Sequence, residues 1–126
     1  MPLTYTIEPD AGTVVVRVRK LPSVGEYRRL LDAVLSDPAY RPGFHFLVDR
    51  RAVPVAPDTP RVWAMTELLE VIHGRGGPCR LAVVATDDAS FGMMRVASAL
   101  AAGTGVEVGA FRDPDEARNW LTGPAG

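Results

Sequence analysis

The stretch Phe44-His45-Phe46-Leu47-Val48-Asp49-Arg50-Arg51 decides how this chain is read. Residues 44–48 form a short, nearly continuous apolar run that stops abruptly at charge. Such a run marks a strand covered on both faces, as in a parallel sheet. Leu81-Ala82-Val83-Val84-Ala85 repeats the pattern, and Val106 to Phe111 gives a third strand.

Helical signals fill the intervals. Asp58-Thr59-Pro60 opens one helix, with Thr59 expected as N-cap and Pro60 at the first helical position. Its apolar arc is Val62, Met65, Leu68, Leu69 and Ile72, and it is expected to end near His73 at Gly74. Asp87-Asp88 opens the next, from about Ala89 to Ala102, with Met93, Val96, Ala97 and Leu100 as the expected core face. Asp113-Pro114-Asp115-Glu116 reads as a capping box for a last helix that buries Ala117, Trp120 and Leu121.

Upstream, Leu3, Tyr5 and Ile7 alternate with polar residues, Pro9-Asp10-Ala11-Gly12 is turn chemistry, and Val14, Val16 and Val18 alternate again. These make an antiparallel hairpin. Ser23-Val24-Gly25-Glu26 is a capping box, and the helix behind it carries Val24, Tyr27, Leu31, Val34 and Leu35 on one face, stopping near Ser36-Asp37-Pro38. The order is β-β-α-β-α-β-α-β-α, an α/β domain over residues 1–122 with a frayed tail at 123–126. Helices between successive strands imply right-handed crossovers and a mixed, mostly parallel sheet. The pattern leaves the strand order open.

With 126 residues and a net charge of −1, the chain fits one domain and carries no global field to draw nucleic acid or an anionic membrane. Its basic residues are arginines except Lys20, and they are scattered, as codon bias would leave them. The single cysteine, Cys79, excludes an intrachain disulfide and points to a reducing, cytoplasmic setting. The start at Met1-Pro2-Leu3-Thr4 has no basic or apolar leader pattern, and no apolar run approaches membrane-spanning length.

Chemistry is sparse. His45 and His73 stand apart with no metal-ligand spacing, so no metal and no cofactor are expected. Gly74-Arg75-Gly76-Gly77-Pro78 is glycine-rich but follows a helix and precedes a strand, the reverse of a nucleotide loop. Thr86-Asp87-Asp88-Ala89-Ser90 has the right order but is acidic. No nucleophile elbow is present, and Asp87 and Asp88 read as helix caps rather than an acid–base pair.

Taken together, Leu47-Val48-Asp49-Arg50-Arg51, Leu81-Ala82-Val83-Val84-Ala85, Phe91-Gly92-Met93-Met94-Arg95 and the closing run from Phe111 to Leu121 resemble the SpoIIAA-like family of small bacterial proteins. That family is related to anti-sigma-factor-antagonist (STAS) domains and, more loosely, to CRAL-TRIO lipid-transfer domains. The resemblance implies a four-to-five-stranded mixed sheet with packed helices, frequent dimerisation and no recognised catalytic centre. One departure stands out. STAS regulators that switch by phosphorylation carry a serine just after an Asp at the end of the central strand. Here Asp49 is followed by Arg50 and Arg51, and the nearest hydroxyl, Thr59, is only a weak phosphorylation candidate.

In open parallel sheets ligands sit beyond the carboxyl ends of the strands. That edge gathers Asp49, Arg50 and Arg51, and two aromatics near it fall off the helical core arcs: Trp63, beside Glu67 and Glu70, and Phe91, near Arg95. Asp49, Arg50, Arg51, Trp63, Phe91 and Arg95 are therefore the candidate binding residues. Two uses are open. The first is a non-enzymatic regulatory or interaction module, a homodimer with a regulatory protein partner, using this edge as its interface. The second is a binding protein for a small amphipathic ligand, with the aromatics around its apolar body and an arginine on its acidic head.

Overall fold

The computed structural model describes residues 2–123. The elements run β1 (Leu3–Glu8), β2 (Thr13–Val18), α1 (Val24–Ser36), β3 (His45–Asp49), α2 (Thr59–Gly76), β4 (Cys79–Val84), α3 (Asp88–Leu100), β5 (Val106–Phe111) and α4 (Pro114–Thr122). The order β-β-α-β-α-β-α-β-α is thus the one read from the sequence. Of the tail expected at 123–126, residues 124–126 lie outside the described residues, and Gly123 caps α4.

The five strands lie in the order β1-β2-β3-β4-β5. β1 pairs antiparallel with β2, and every later pair is parallel. Alternation along the strands then sorts side chains to two faces. Val14, Val16, Val18, Phe46, Val48, Val83, Val106 and Val108 enter the main core with Leu31, Val34, Leu68, Leu69, Ile72 and Met94 from α1, α2 and α3. Val15, Leu47, Ala82 and Val84 enter a smaller core with Ala117 and Leu121 of α4, against which Phe111 and Trp120 pack. Three helices cover one face and one covers the other.

The caps explain most helix boundaries. The Ser23–Glu26 box is present in both directions, Glu26 N–H donating to Ser23 Oγ at 3.1 Å and Ser23 N–H to Glu26 Oε1 at 3.0 Å. In α2 the cap is Asp58, not Thr59: its carboxylate accepts from the Arg61 N–H at 3.0 Å and from the Arg61 guanidinium at 2.8 Å. A carboxylate serves the positive end of a helix better than a hydroxyl, and Arg61 reinforces that choice.

The helix also outruns its expected stop at Gly74. It continues to Gly76 and ends at Gly77, whose φ of 76° and ψ of −168° turn the chain out of the helix through a region that favours glycine. Asp113 caps α4 through Asp115 N–H at 2.9 Å, but the reciprocal Glu116 bond of a capping box is not formed.

The phase of α3 differs from the expected face. Ser90, Met94 and Ala101 are the buried positions, Met93 and Ala97 are half-buried, and Val96 is exposed. Small residues let this helix approach β5 closely, and Ser98 Oγ donates to the Val108 carbonyl at 2.5 Å.

Candidate functional site

An open-sheet crevice forms where strand order reverses and helices part to opposite faces. Here the order never reverses, and α1, α2 and α3 all lie on the same face. The recess lies instead beneath those helices.

An apolar pocket of about 90 Å³ sits between the sheet and α1–α3. Its floor is Val16, Phe46, Val48, Leu81, Val83 and Val108, and its roof is built from Leu31, Leu69, Ile72 and Met94 with the half-buried Tyr27, Leu30 and Met65. At the carboxyl end of β3 one charged residue closes it. Arg50 is 1 % exposed, the largest side chain among the described residues to be so fully buried.

Its surroundings are specific. Arg50 NH2 donates to the Val55 carbonyl at 3.0 Å, and the Arg50 carbonyl accepts from Val53 N–H at 3.0 Å. Val53 is itself buried, so the 51–57 loop folds back over the guanidinium. Arg50 NH1 has no hydrogen-bond partner, and Ser90 Oγ, also fully buried, has none. Among the described residues no carboxylate makes a salt bridge to Arg50.

Asp87 feels its charge, but that carboxylate accepts from Ser90 N–H at 2.9 Å, and this bond is the main reason its pKa lies below the ordinary value. Burial pushes the Tyr27 phenol up, with the charge of Arg50 and a hydrogen-bonding approach of its guanidinium acting against the rise. A buried guanidinium with an unused donor, beside an apolar recess, is a costly arrangement unless something polar meets it.

The other candidates separate. Asp49 and Arg51 engage each other: Arg51 Nε donates to Asp49 Oδ1 at 3.0 Å, NH2 to Oδ2 at 2.8 Å, and the Arg51 N–H to Oδ1 at 3.0 Å. These bonds hold the Asp49 carboxyl below its usual range. The pair faces Arg17 and Arg19 in an open surface hollow, on the other side of the backbone from the pocket. Trp63 is 55 % exposed and absent from the pocket wall.

Phe91 is half-buried beneath the guanidinium of Arg112, 4.4 Å from the ring centre, and Arg112 also pairs with Asp88 at 2.8 Å. Arg95 is exposed on α3, and Thr59 is exposed in the first turn of α2. Arg50 alone of the six binding candidates lines the pocket.

Tyr27, Met65, Thr66 and Met94 belong to this site, yet Tyr27 and Met65 read from the sequence as core positions, Met94 enters only through the Phe91–Arg95 motif, and Thr66 carries no signal. The visible hint was Arg50 itself, a charge directly after a doubly covered strand. Among the described residues no cluster of three or more His, Cys, Asp or Glu could hold a metal ion, and no helix is long and apolar enough to cross a membrane.

No protein-family model and no curated protein matches the chain. A solved structure does. It is an uncharacterised protein of the DUF3478 family, with a SpoIIAA-like fold, from Shewanella loihica PV-4. The two share 19 % identity over 94 % of this chain and 93 % of that one, with a TM-score of 0.61. This chain has the SpoIIAA-like fold. The five-stranded mixed sheet with its four helices matches that architecture across nearly the whole length.

Proposed function

We propose that this SpoIIAA-like protein is a non-enzymatic binding module, of bacterial and cytoplasmic setting, that holds a small, mainly apolar ligand between its sheet and helices. The observation that carries this reading is the apolar pocket with the buried, incompletely bonded Arg50 at its end. Two of the methionines, Met65 and Met94, line it, and flexible thioether side chains adapt their shape to what they contact. The non-enzymatic part is supported by the histidines: His45 Nδ1 is occupied by the Arg80 N–H at 2.9 Å, and His73 is exposed on the last turn of α2.

Methionine-methyl NMR under xenon tests the pocket. Shifts at Met65 and Met94, with Met93 unmoved because it does not line the cavity, are expected, since dry apolar cavities take up xenon. Unmoved Met65 and Met94 signals would remove the recess on which the reading stands.

Trp63 favours a second reading. It stands exposed on α2 with Val71 on the same helix and Val55 in the preceding loop, and an exposed tryptophan is a favoured interface anchor. In this reading the face joins two copies of the chain, giving the homodimer of a regulatory module. Trp63→Ala should then lower the solution mass by one half at micromolar concentration, and a mass equal to one chain in the unaltered protein would end it.

A further inference from the structure

Resting on the pocket reading, we infer that the ligand is a short aliphatic monocarboxylate, its chain lying under α1–α3 and its carboxylate on Arg50. Three observations carry this. The first is the head. Arg50 lies in the pocket wall with its buried NH1 unbonded while its NH2 is held by the Val55 carbonyl, so the guanidinium is fixed in place before any ligand arrives. Planar guanidinium donors match a carboxylate in geometry, and a donor already immobilised loses little freedom on binding.

The second is charge. The pocket wall is otherwise almost wholly apolar, and no carboxylate of the described residues forms an ion pair with Arg50. One negative charge neutralises one buried guanidinium. A phosphate dianion would bring surplus charge and several acceptor oxygens into a wall that offers few donors, at a large desolvation cost. An alcohol would leave the charge unmatched. Asp87 sits near enough to feel the charge of Arg50, yet its carboxylate is committed to the Ser90 N–H and makes no ion pair with the guanidinium.

The third is size. A volume of about 90 Å³ is a little over half that of the roughly 150 Å³ cavity known to accept benzene, which sets the chain at about four carbons. Half-buried members of the wall lie on all three covering helices, Tyr27 and Leu30 on α1, Met65 on α2 and Ala97 on α3, so the pocket is thinnest along its helical roof.

The test compares pentanoate with pentan-1-ol on the unaltered protein, on Arg50→Met and on Arg50→Lys, read by the Met65 and Met94 methyl signals. Pentanoate is expected to bind the unaltered protein at least about tenfold more tightly than the alcohol. Arg50→Met should abolish that preference while still taking up the alcohol, and Arg50→Lys should keep part of it. The unaltered protein decides the matter even if a variant fails to fold. Equal affinity for acid and alcohol, or a preference that survives in Arg50→Met, overturns the carboxylate assignment and leaves the pocket standing. Failure of both probes and of xenon to move either methionine overturns the pocket as well.

Discussion

The backbone N–H of Arg80 donates to Nδ1 of His45 at 2.9 Å, closing the seam between β3 and β4 just ahead of their ladder. The imidazole must be neutral at that nitrogen to accept. Burial and the charge of Arg80 both lower its pKa below the ordinary 6.5. An unfolded chain therefore binds the proton more readily than the folded one, and stability is lost as pH falls through about 6.5 toward the folded value.

Urea midpoints measured from about pH 7.5 down to 5 should fall, and His45→Asn, which keeps an acceptor without titrating, should flatten that slope. The carboxylates held low by partners, Glu8, Glu26, Asp49 and Asp87, act only in more acid solution and leave this window clear. An unchanged slope in His45→Asn would show that another group governs it.

Gly76 illustrates how a helix can outlast an apparent stop. A Cβ there would collide with the Tyr40 hydroxyl, while the Gly76 carbonyl accepts from Gly43 N–H at 2.8 Å. Alanine in a helix normally stabilises relative to glycine. Here Gly76→Ala is expected to cost about 1–3 kcal/mol through overpacking. Tyr40→Phe removes the offending oxygen and leaves the ring carbon at 3.4 Å, so the double variant should recover most of the loss. Additive single effects would refute the contact.

Cys79 is buried at the start of β4, and burial raises its thiol pKa to about 11. The thiolate fraction at neutral pH is then on the order of one in ten thousand. Iodoacetamide should leave the folded protein unmodified over hours and label it fully in denaturant. Rapid native labelling would show that β4 opens at its start, although strands flank it on both sides.

The two tryptophans should part company. Trp120 packs on Phe111 at 5.3 Å between ring centres and lies under the Arg80 guanidinium at 5.1 Å, whose NH1 also donates to the Trp120 carbonyl at 2.6 Å. Trp120→Ala is expected to cost about 2–4 kcal/mol, toward the lower part of the core range because the ring is half-buried. Trp63→Ala should change the stability of a single chain by no more than about 0.5 kcal/mol. Iodide quenching of Trp120→Phe and Trp63→Phe should show one accessible ring and one protected ring.

The strands and most helix starts were legible because each depends on local chemistry: β-branched runs between breakers, and side chains that cap within three residues. The end of α2 was not, since Gly74 signals a stop locally and Tyr40, more than thirty residues earlier, has no voice in a local pattern. The phase of α3 was lost for a related reason. Its buried positions include Ser90 and, at the C-cap, Ala101, whose small size suits close packing but gives hydrophobicity little to grade, while Val96, which the apolar pattern turns inward, is exposed.

The site follows the same division. Arg50 could be marked as a charge at the end of a covered strand, but its burial is made by the returning 51–57 loop and by Tyr27 on another helix. Phe91 could be seen to leave the core arc, whereas its cover by Arg112, from beyond β5, depends on tertiary approach.

The sequential strand order also bears on how the chain assembles as it is made. Each new strand joins the one before it, so a nascent chain can add β3, β4 and β5 in turn without waiting for a later segment to be threaded between them. The opposite face has no such progression. Val15, Leu47, Ala82 and Val84 stay wet until α4, which follows all five strands along the chain, closes over them. A ribosome stalled before Asp113 would hold a sheet finished on one side and bare on the other.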